Sequence, residues 1–292
     1  MSAAVLFAAP AAVSANGDAA DILAQSNDAM DSLESYSSTI ELEQTISENG
    51  EDFTTESVIE QDIIVDPFKL RQETTTIIPE LGEEETLLSY WTDEGFFQED
   101  GEGGWIRLDD GMDDAMMAQD SLGDTEAWAD DFDVSEEDGY YVLTYTGDAD
   151  DFEDLAEAFD DMDDMNGDME GMHEEMEAMM EIEDFFYELH IDSETYYVTE
   201  ALIDLSLEMD VDGMTASIEQ LMTISFHNFN GVEDFDVPEE ALAADDLEDV
   251  LEDELGDELP ATATSYPLWI GIGIALAAAG TFLVTGRRKT TV

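Results

Sequence analysis

Cysteine is absent from the 292-residue chain. That excludes disulfides, thiolate metal sites, a cysteine nucleophile and a cysteine-linked lipid anchor, so the chain is held together by packing alone. Basic residues are almost as scarce: 6 Lys+Arg stand against 78 Asp+Glu, a formal net charge of -72. Half of them form one cluster, Arg287, Arg288 and Lys289, which leaves Lys69, Arg71 and Arg107 for the rest of the chain. Such a surface repels phosphate backbones, and no nucleic-acid partner is expected.

Catalytic signatures are missing too. His173 opens His-Glu-Glu-Met-Glu, without the second histidine of a zinc-protease helix. His190 and His227 stand far apart in sequence, and there is no nucleophile elbow or phosphate loop. Carboxylates are too numerous for any pair to be singled out as acid and base. The expectation is a protein that is not an enzyme and needs no cofactor.

What is present is enough for a folded domain. Hydrophobic residues make up 43% of the chain and aromatics 9%, more than an acidic disordered chain carries. The reading is a folded core in an acidic coat whose self-repulsion is relieved by salt, which suits a saline or alkaline habitat.

Both ends read as addresses. Residues 3–15, AAVLFAAPAAVSA, form a short apolar run closing on Val13-Ser14-Ala15, a small-x-small cleavage site. A signal peptide over 1–15 is therefore expected, although the usual basic n-region is missing. At the other end Leu259-Pro260-Ala261-Thr262-Ala263 precedes an apolar stretch from Leu268 to Val284 and then Arg287, Arg288 and Lys289. As a helix the stretch spans about 26 Å, close to the thickness of a bilayer core. The basic residues act as a membrane stop on the cytoplasmic side. A transmembrane helix over 268–284 is expected, with everything before it outside the cell.

Between the ends the periodicity changes twice. Asp18 to Leu33 carries a helical stripe of Ile22, Leu23, Ala29, Met30 and Leu33. Strand patterns follow: Ile40, Leu42 and Ile46 alternate, Asn49-Gly50 makes a hairpin turn, and Phe53 to Val65 returns. Further strands are expected over 68–78, 86–91, 95–98, 105–108 and 140–146, with a short helix over 112–122. From Asp151 to Glu181 the pattern reads as a long amphipathic helix. One face carries Phe152, Leu155, Phe159, Met162, Met165, Met169, Met172, Met176 and Met179. Strands resume at Phe185. Ile203, Leu205, Leu207, Met209 and Val211 alternate without a miss, Asp212-Gly213 turns the chain, and Met214, Ala216, Ile218, Met222, Ile224 and Phe226 alternate back. Strands this long suit a strongly curved sheet.

The three C-terminal parts resemble the cell-wall sorting signal of sortase substrates. Leu259, Pro260 and Thr262 match its LPxTG pentapeptide, with Ala263 where glycine is commonest. The resemblance implies that sortase cleaves after Thr262 and joins it to peptidoglycan at the surface of a Gram-positive-type cell. The ectodomain has its own resemblance. The Leu33-x-x-Tyr36 step, the run Ile191-Asp192-Ser193-Glu194-Thr195-Tyr196-Tyr197-Val198-Thr199, the two Met-studded strands and the Val237-Pro238-Glu239-Glu240-Ala241 exit resemble a bacterial surface-lipoprotein family of undefined function, related to LolA/LppX-like carriers. That implies an α+β fold, a large curved antiparallel sheet (a LolA-like half-barrel) covered by helices, with a cavity for acyl chains. The expected organisation is a signal peptide over 1–15, an ectodomain over 16–242, an acidic stalk over 243–258 and the sorting signal over 259–292.

Three readings of the Met stripe stay open. Phe152, Phe159, Met162, Met165, Met169, Met172, Met176 and Met179 could line a lipid cleft, could pack as ordinary core that fills the half-barrel, or, for the thioethers, could meet copper. Asn166, Asp168, Glu170, Gly171 and Glu177 fall at EF-hand offsets, but with Asn first and no loop character this is read as chance, and no metal is expected. The functional expectation is a non-enzymatic surface protein that binds a lipid or other apolar ligand. The alternative is a structural or protein-interaction module retained by a single membrane pass. Expected partners are sortase, peptidoglycan, the membrane and a lipid. Replacing Leu259 and Pro260 by alanine should abolish covalent linkage to peptidoglycan, read by release of the protein after muramidase digestion; unchanged linkage would remove the sorting reading.

Overall fold

The structure, a computed structural model, describes residues 19–48, 51–101, 103–108, 129–147, 180–211 and 214–246. Helix α1 (Ala19–Asp31) is followed by β1 (Ser35–Glu48), β2 (Glu51–Ile64), β3 (Lys69–Ile78), β4 (Glu83–Thr92), β5 (Gly95–Glu99) and β6 (Trp105–Leu108). Then come β7 (Phe132–Glu137), β8 (Tyr140–Tyr145), β9 (Met180–Asp192), β10 (Val198–Val211), β11 (Met214–His227), the short helix α2 (Glu239–Leu242) and β12 (Asp245–Asp246). The twelve strands make one sheet in the order β12-β6-β5-β4-β3-β2-β1-β11-β10-β9-β8-β7. Neighbours pair antiparallel except β12, which joins β6 parallel. β1 to β6 form one run of side-by-side strands and β7 to β11 another; the two runs join at the seam where β1 pairs with β11.

Period-two alternation decides what each face carries. In β1, Tyr36, Ile40 and Leu42 are buried; across the seam they share a face with Phe226, Ile224 and Met222 of β11. Ala201 and Ile203 of β10 continue the same rows, as do Leu189 and Tyr187 of β9 and Leu143 of β8. On this face α1 packs through Ile22, Leu23 and Met30, spaced as one side of a helix. Burying each such side chain contributes about 1.5–3 kcal/mol.

The opposite face has its own smaller core over β4–β6. Tyr90 and Phe97 pair there and pack with Val237 and Ala241, joined by Leu88, Trp105 and Phe235. This core brings the segment containing α2 across the back of the sheet. Lys69 pins that segment by donating to Asp234 Oδ1 at 2.6 Å and to the Phe235 carbonyl at 2.9 Å. The hydrogen bond to Asp234 raises the Lys69 ammonium above its ordinary value, and the same bond lowers the Asp234 carboxyl. Turns supply the remaining constraints. Asp138 and Gly139 between β7 and β8 both take positive φ, 49° and 93°, the two-residue hairpin geometry that matches strand twist. In the β9–β10 turn Asp192 Oδ1 accepts from the Glu194 and Thr195 amides and the Thr195 hydroxyl. Those Thr195 bonds hold the Asp192 carboxyl below its ordinary value.

The architecture corrects the expectation of an α+β fold with helices covering the sheet and a transmembrane helix. Among the described residues helix is confined to α1, α2 and one turn at Ala129–Asp131, and the sheet dominates. No helix among the described residues is long and apolar enough to cross a membrane. Residues 112–122 and 268–284, expected as helices, lie outside the described residues, as do residues 151–179. The last two positions of the expected long helix, Met180 and Glu181, are strand, paired with Met209 and Glu208. Ladder pairing to a long, regular β10 overrides the local helical pattern there. The sheet also contains β7, which sequence periodicity passed over.

Two predictions follow from the ladder and the turn. Glu43 stands directly opposite Glu56, and Glu60 opposite Glu73, like-charge pairs that repel. Glu60→Gln should stabilise the fold by roughly a few tenths of a kcal/mol in dilute buffer, and the gain should vanish in molar salt, measured by denaturant titration at both ionic strengths. Asp192→Asn should cost about 1 kcal/mol at neutral pH. Because the native carboxyl titrates below the unfolded one, its stabilisation is complete above about pH 4 and is lost as pH falls through the lowered native value. The gap between wild type and variant should therefore close in acid.

Candidate functional site

The α1-bearing face is built of rows running across the strands. Nearest α1 lie Tyr36 and Ile63. The next rows are Phe226–Ser38–Gln61, then Ala201–Ile224–Ile40–Ile59, then Ile203–Met222–Leu42–Ser57. Beyond them come Leu205–Gln220–Gln44–Thr55 and Leu207–Ile218–Ile46–Phe53. Apolar residues thus fill the strip formed by β9, β10, β11 and β1. On β2 and β3 some of these rows turn polar, at Gln61, Ser57 and Thr55 of β2 and at Gln72, Thr74 and Thr76 of β3, and polar groups there are bonded to one another. Ser38 donates to Gln61 Oε1 at 2.8 Å, Gln61 donates to Gln72 Oε1 at 2.8 Å, and Gln72 donates to Thr74 at 3.0 Å. The Ser57 and Thr76 hydroxyls meet at 3.2 Å. This satisfied ladder bounds the apolar strip on one side.

Along the strip the apolar residues fall into two clusters. The first contains α1 and the rows next to it. The second consists of Leu205, Leu207, Met209 and Ile218, with Ile46, Ile182 and Phe185 against them, and draws only on β1, β9, β10 and β11. No described helix contributes to it. Gln44 and Gln220, 4% and 3% exposed, sit opposite each other on the row where the clusters meet. Gln220 Oε1 is buried without a hydrogen-bond partner. Tyr187 lies one row nearer α1 on β9, its ring against Phe132 and Phe185. Its hydroxyl is also buried without a partner, and burial pushes its pKa far up, so the phenol stays neutral. Unpartnered buried polar atoms cost about 1–3 kcal/mol each and call for an explanation.

Nothing described forms a metal centre: no group of three or more His, Asp or Glu side chains among the described residues could hold an ion. His190 meets Glu188 at 2.9 Å and Glu200 at 4.0 Å on the face away from α1. His227 meets Thr39 at 3.2 Å.

The residues singled out in the sequence lie elsewhere. Phe152, Phe159, Met162, Met165, Met169, Met172, Met176 and Met179 are outside the described residues. So are His173, the EF-hand-like positions, Leu259 to Ala263, and Arg287, Arg288 and Lys289. The structure instead brings forward Gln44, Gln220 and Tyr187. Two of these carried a signal in the sequence. Gln44 and Gln220 occupy inward positions in otherwise apolar alternations, Ile40-Leu42-Gln44-Ile46 and Ile218-Gln220-Met222-Ile224.

The family model described as "Family of unknown function (DUF6612)" matches residues 18–246. No curated protein matches the chain. Among solved structures the chain is similar to LprF from Mycobacterium bovis, with 11% identity, 76% of this chain and 97% of that one covered, and a TM-score of 0.37. It is also similar to a DUF1329 family protein from Desulfovibrio piger, with 12% identity, coverage of 74% and 94%, and a TM-score of 0.24. A third similarity is to a domain described as an outer membrane lipoprotein-sorting protein from Vibrio parahaemolyticus, with 9% identity, coverage of 79% and 97%, and a TM-score of 0.23.

Proposed function

The chain belongs to this family of unknown function, whose membership brings no activity with it, and from the geometry we propose that it is an exported, envelope-associated, non-enzymatic protein that binds a lipid or other apolar ligand on the α1-bearing face. The observation that carries this reading is the second apolar cluster. Leu205, Leu207, Met209 and Ile218 extend the dry face roughly 14 Å beyond the polar step at Gln220, at a strand rise of ~3.4 Å per residue. A sheet face of this length with a small polar element among aliphatic side chains has the composition of a ligand site for long apolar molecules. In this reading Phe152, Phe159 and the methionines from Met162 to Met179 line the ligand, methionine being suited to variable apolar partners. Leu259 to Ala263 present the chain to sortase, and peptidoglycan receives Thr262.

A second reading is favoured by one observation. Members of the second cluster retain only 3–8% exposure. Side chains of the protein itself would then fill the face, and the molecule would be a structural or protein-interaction module of the envelope.

The two readings separate in one experiment. The protein is purified from a bacterial host in high salt and extracted with organic solvent, and the extract is analysed by mass spectrometry. The ligand reading predicts a stoichiometric lipid that is lost in the Met169→Asp, Met176→Asp double variant. A lipid-free protein that also fails to take up Nile red, an uncharged apolar dye, establishes the filled face.

A further inference from the structure

We propose that the ligand of this face is a long-chain amphiphile whose polar part is an uncharged hydrogen-bonding group, a hydroxyl or an amide, and that anionic lipids are rejected; this rests on the apolar-ligand reading above. Two independent observations carry it.

The first is the pair of unpartnered polar atoms. Gln220 Oε1 and the Tyr187 hydroxyl are buried and unbonded on the same face, in residues 3% and 2% exposed. Gln220 shares its row with Leu205, a member of the second cluster, and Tyr187 stands in the adjacent row opposite Ile203. A plain hydrocarbon leaves both atoms unsatisfied. A ligand hydroxyl or amide donor satisfies Gln220 Oε1, and a ligand oxygen that reaches Tyr187 accepts from its hydroxyl. The elevated position of the phenol's titration keeps it a donor throughout the physiological range.

The second is charge. Strands β1, β9, β10 and β11, which build the site, contain no lysine or arginine. The three basic residues among the described ones are elsewhere and engaged. Lys69 is on Asp234, Arg71 is on Asp62 at 3.1 Å, and Arg107 lies over the Phe97 ring, all on β3 and β6. A carboxylate or phosphate head group buried here would meet no counter-charge, and an unpaired buried charge is far costlier than an unpaired dipole. The net charge of -72 also disfavours its approach.

The test uses three probes of equal chain length on the full 292-residue protein: dodecanamide, methyl dodecanoate and dodecanoate, titrated calorimetrically at about 0.15 M salt. Wild type should bind dodecanamide at least tenfold more tightly than methyl dodecanoate, which lacks a donor, and dodecanoate most weakly. Gln220→Leu should erase the tenfold preference for dodecanamide over methyl dodecanoate, with the apo protein no less stable. Tyr187→Phe, a smaller change, should reduce the preference in the same direction and serves if the leucine variant does not fold. Equal affinity for the three probes, or a preference that survives both substitutions, overturns the proposal and leaves the apolar-ligand reading standing. Failure of all three probes to bind overturns both.

Discussion

The register across the β1–β11 seam is the constraint on which the rest of the molecule depends. With Ile40 opposite Ile224 and Leu42 opposite Met222, every inward position of β1, β10 and β11 lands on one face. A slip of one residue would turn that whole set outward and bring Glu41, Glu43 and Thr39 in. The apolar rows therefore hold the register, and the register in turn seats α1, closes the N-terminal strands against the C-terminal ones and extends the dry strip to Met209. Because the chain has no cysteine and few basic residues to make ion pairs, this packing has no covalent or electrostatic substitute.

Charge works against the fold and shapes the site at the same time. Carboxylates occupy the outward positions in facing pairs, so the back of the sheet repels itself except where Lys69 and the aromatic core over β4–β6 hold the α2 segment. The α1-bearing face escapes this because alternation sends the acids outward. The polar groups buried there include a bonded ladder of Ser38, Gln61 and Gln72, and the unpartnered Gln220 Oε1 and hydroxyls of Tyr187 and Ser26. The first reads as architecture, since each member satisfies its neighbour. The second set has no partner among the described residues, and the proposed ligand would supply one.

Much of the sheet was legible in the sequence because the signal is geometric. The unbroken alternation of residues 203–211, that of 214–226 broken only at Gln220, the Asp212-Gly213 turn and the stripe of Ile22, Leu23 and Met30 specify period and direction locally, and the strands and α1 stand where those patterns put them. Strand β7, Phe132–Glu137, was not legible: Asp133, Ser135 and two glutamates obscure its pattern, and it exists by pairing with β8. The β1–β11 seam was not legible either, since it joins residues some 180 positions apart and no local periodicity encodes a partner. The dominance of strand over helix was missed for a related reason. Acid- and methionine-rich stretches read as helix on local propensity, yet Met180 and Glu181 are strand because β10 offers them a ladder. As for the site, Gln44 and Gln220 are visible as interruptions in apolar alternations, whereas Tyr187 shows its missing partner only in three dimensions.

The central claim is that the second apolar cluster is where the protein receives an apolar molecule. It is tested most directly by methyl NMR with a nitroxide attached to an uncharged alkyl chain. If the claim holds, the probe broadens the methyl signals of Leu205, Leu207, Met209 and Ile218 at substoichiometric addition, while those of Val58 and Leu221, exposed on the other face, stay sharp. Broadening confined to Val58 and Leu221, or none at any site, would contradict it.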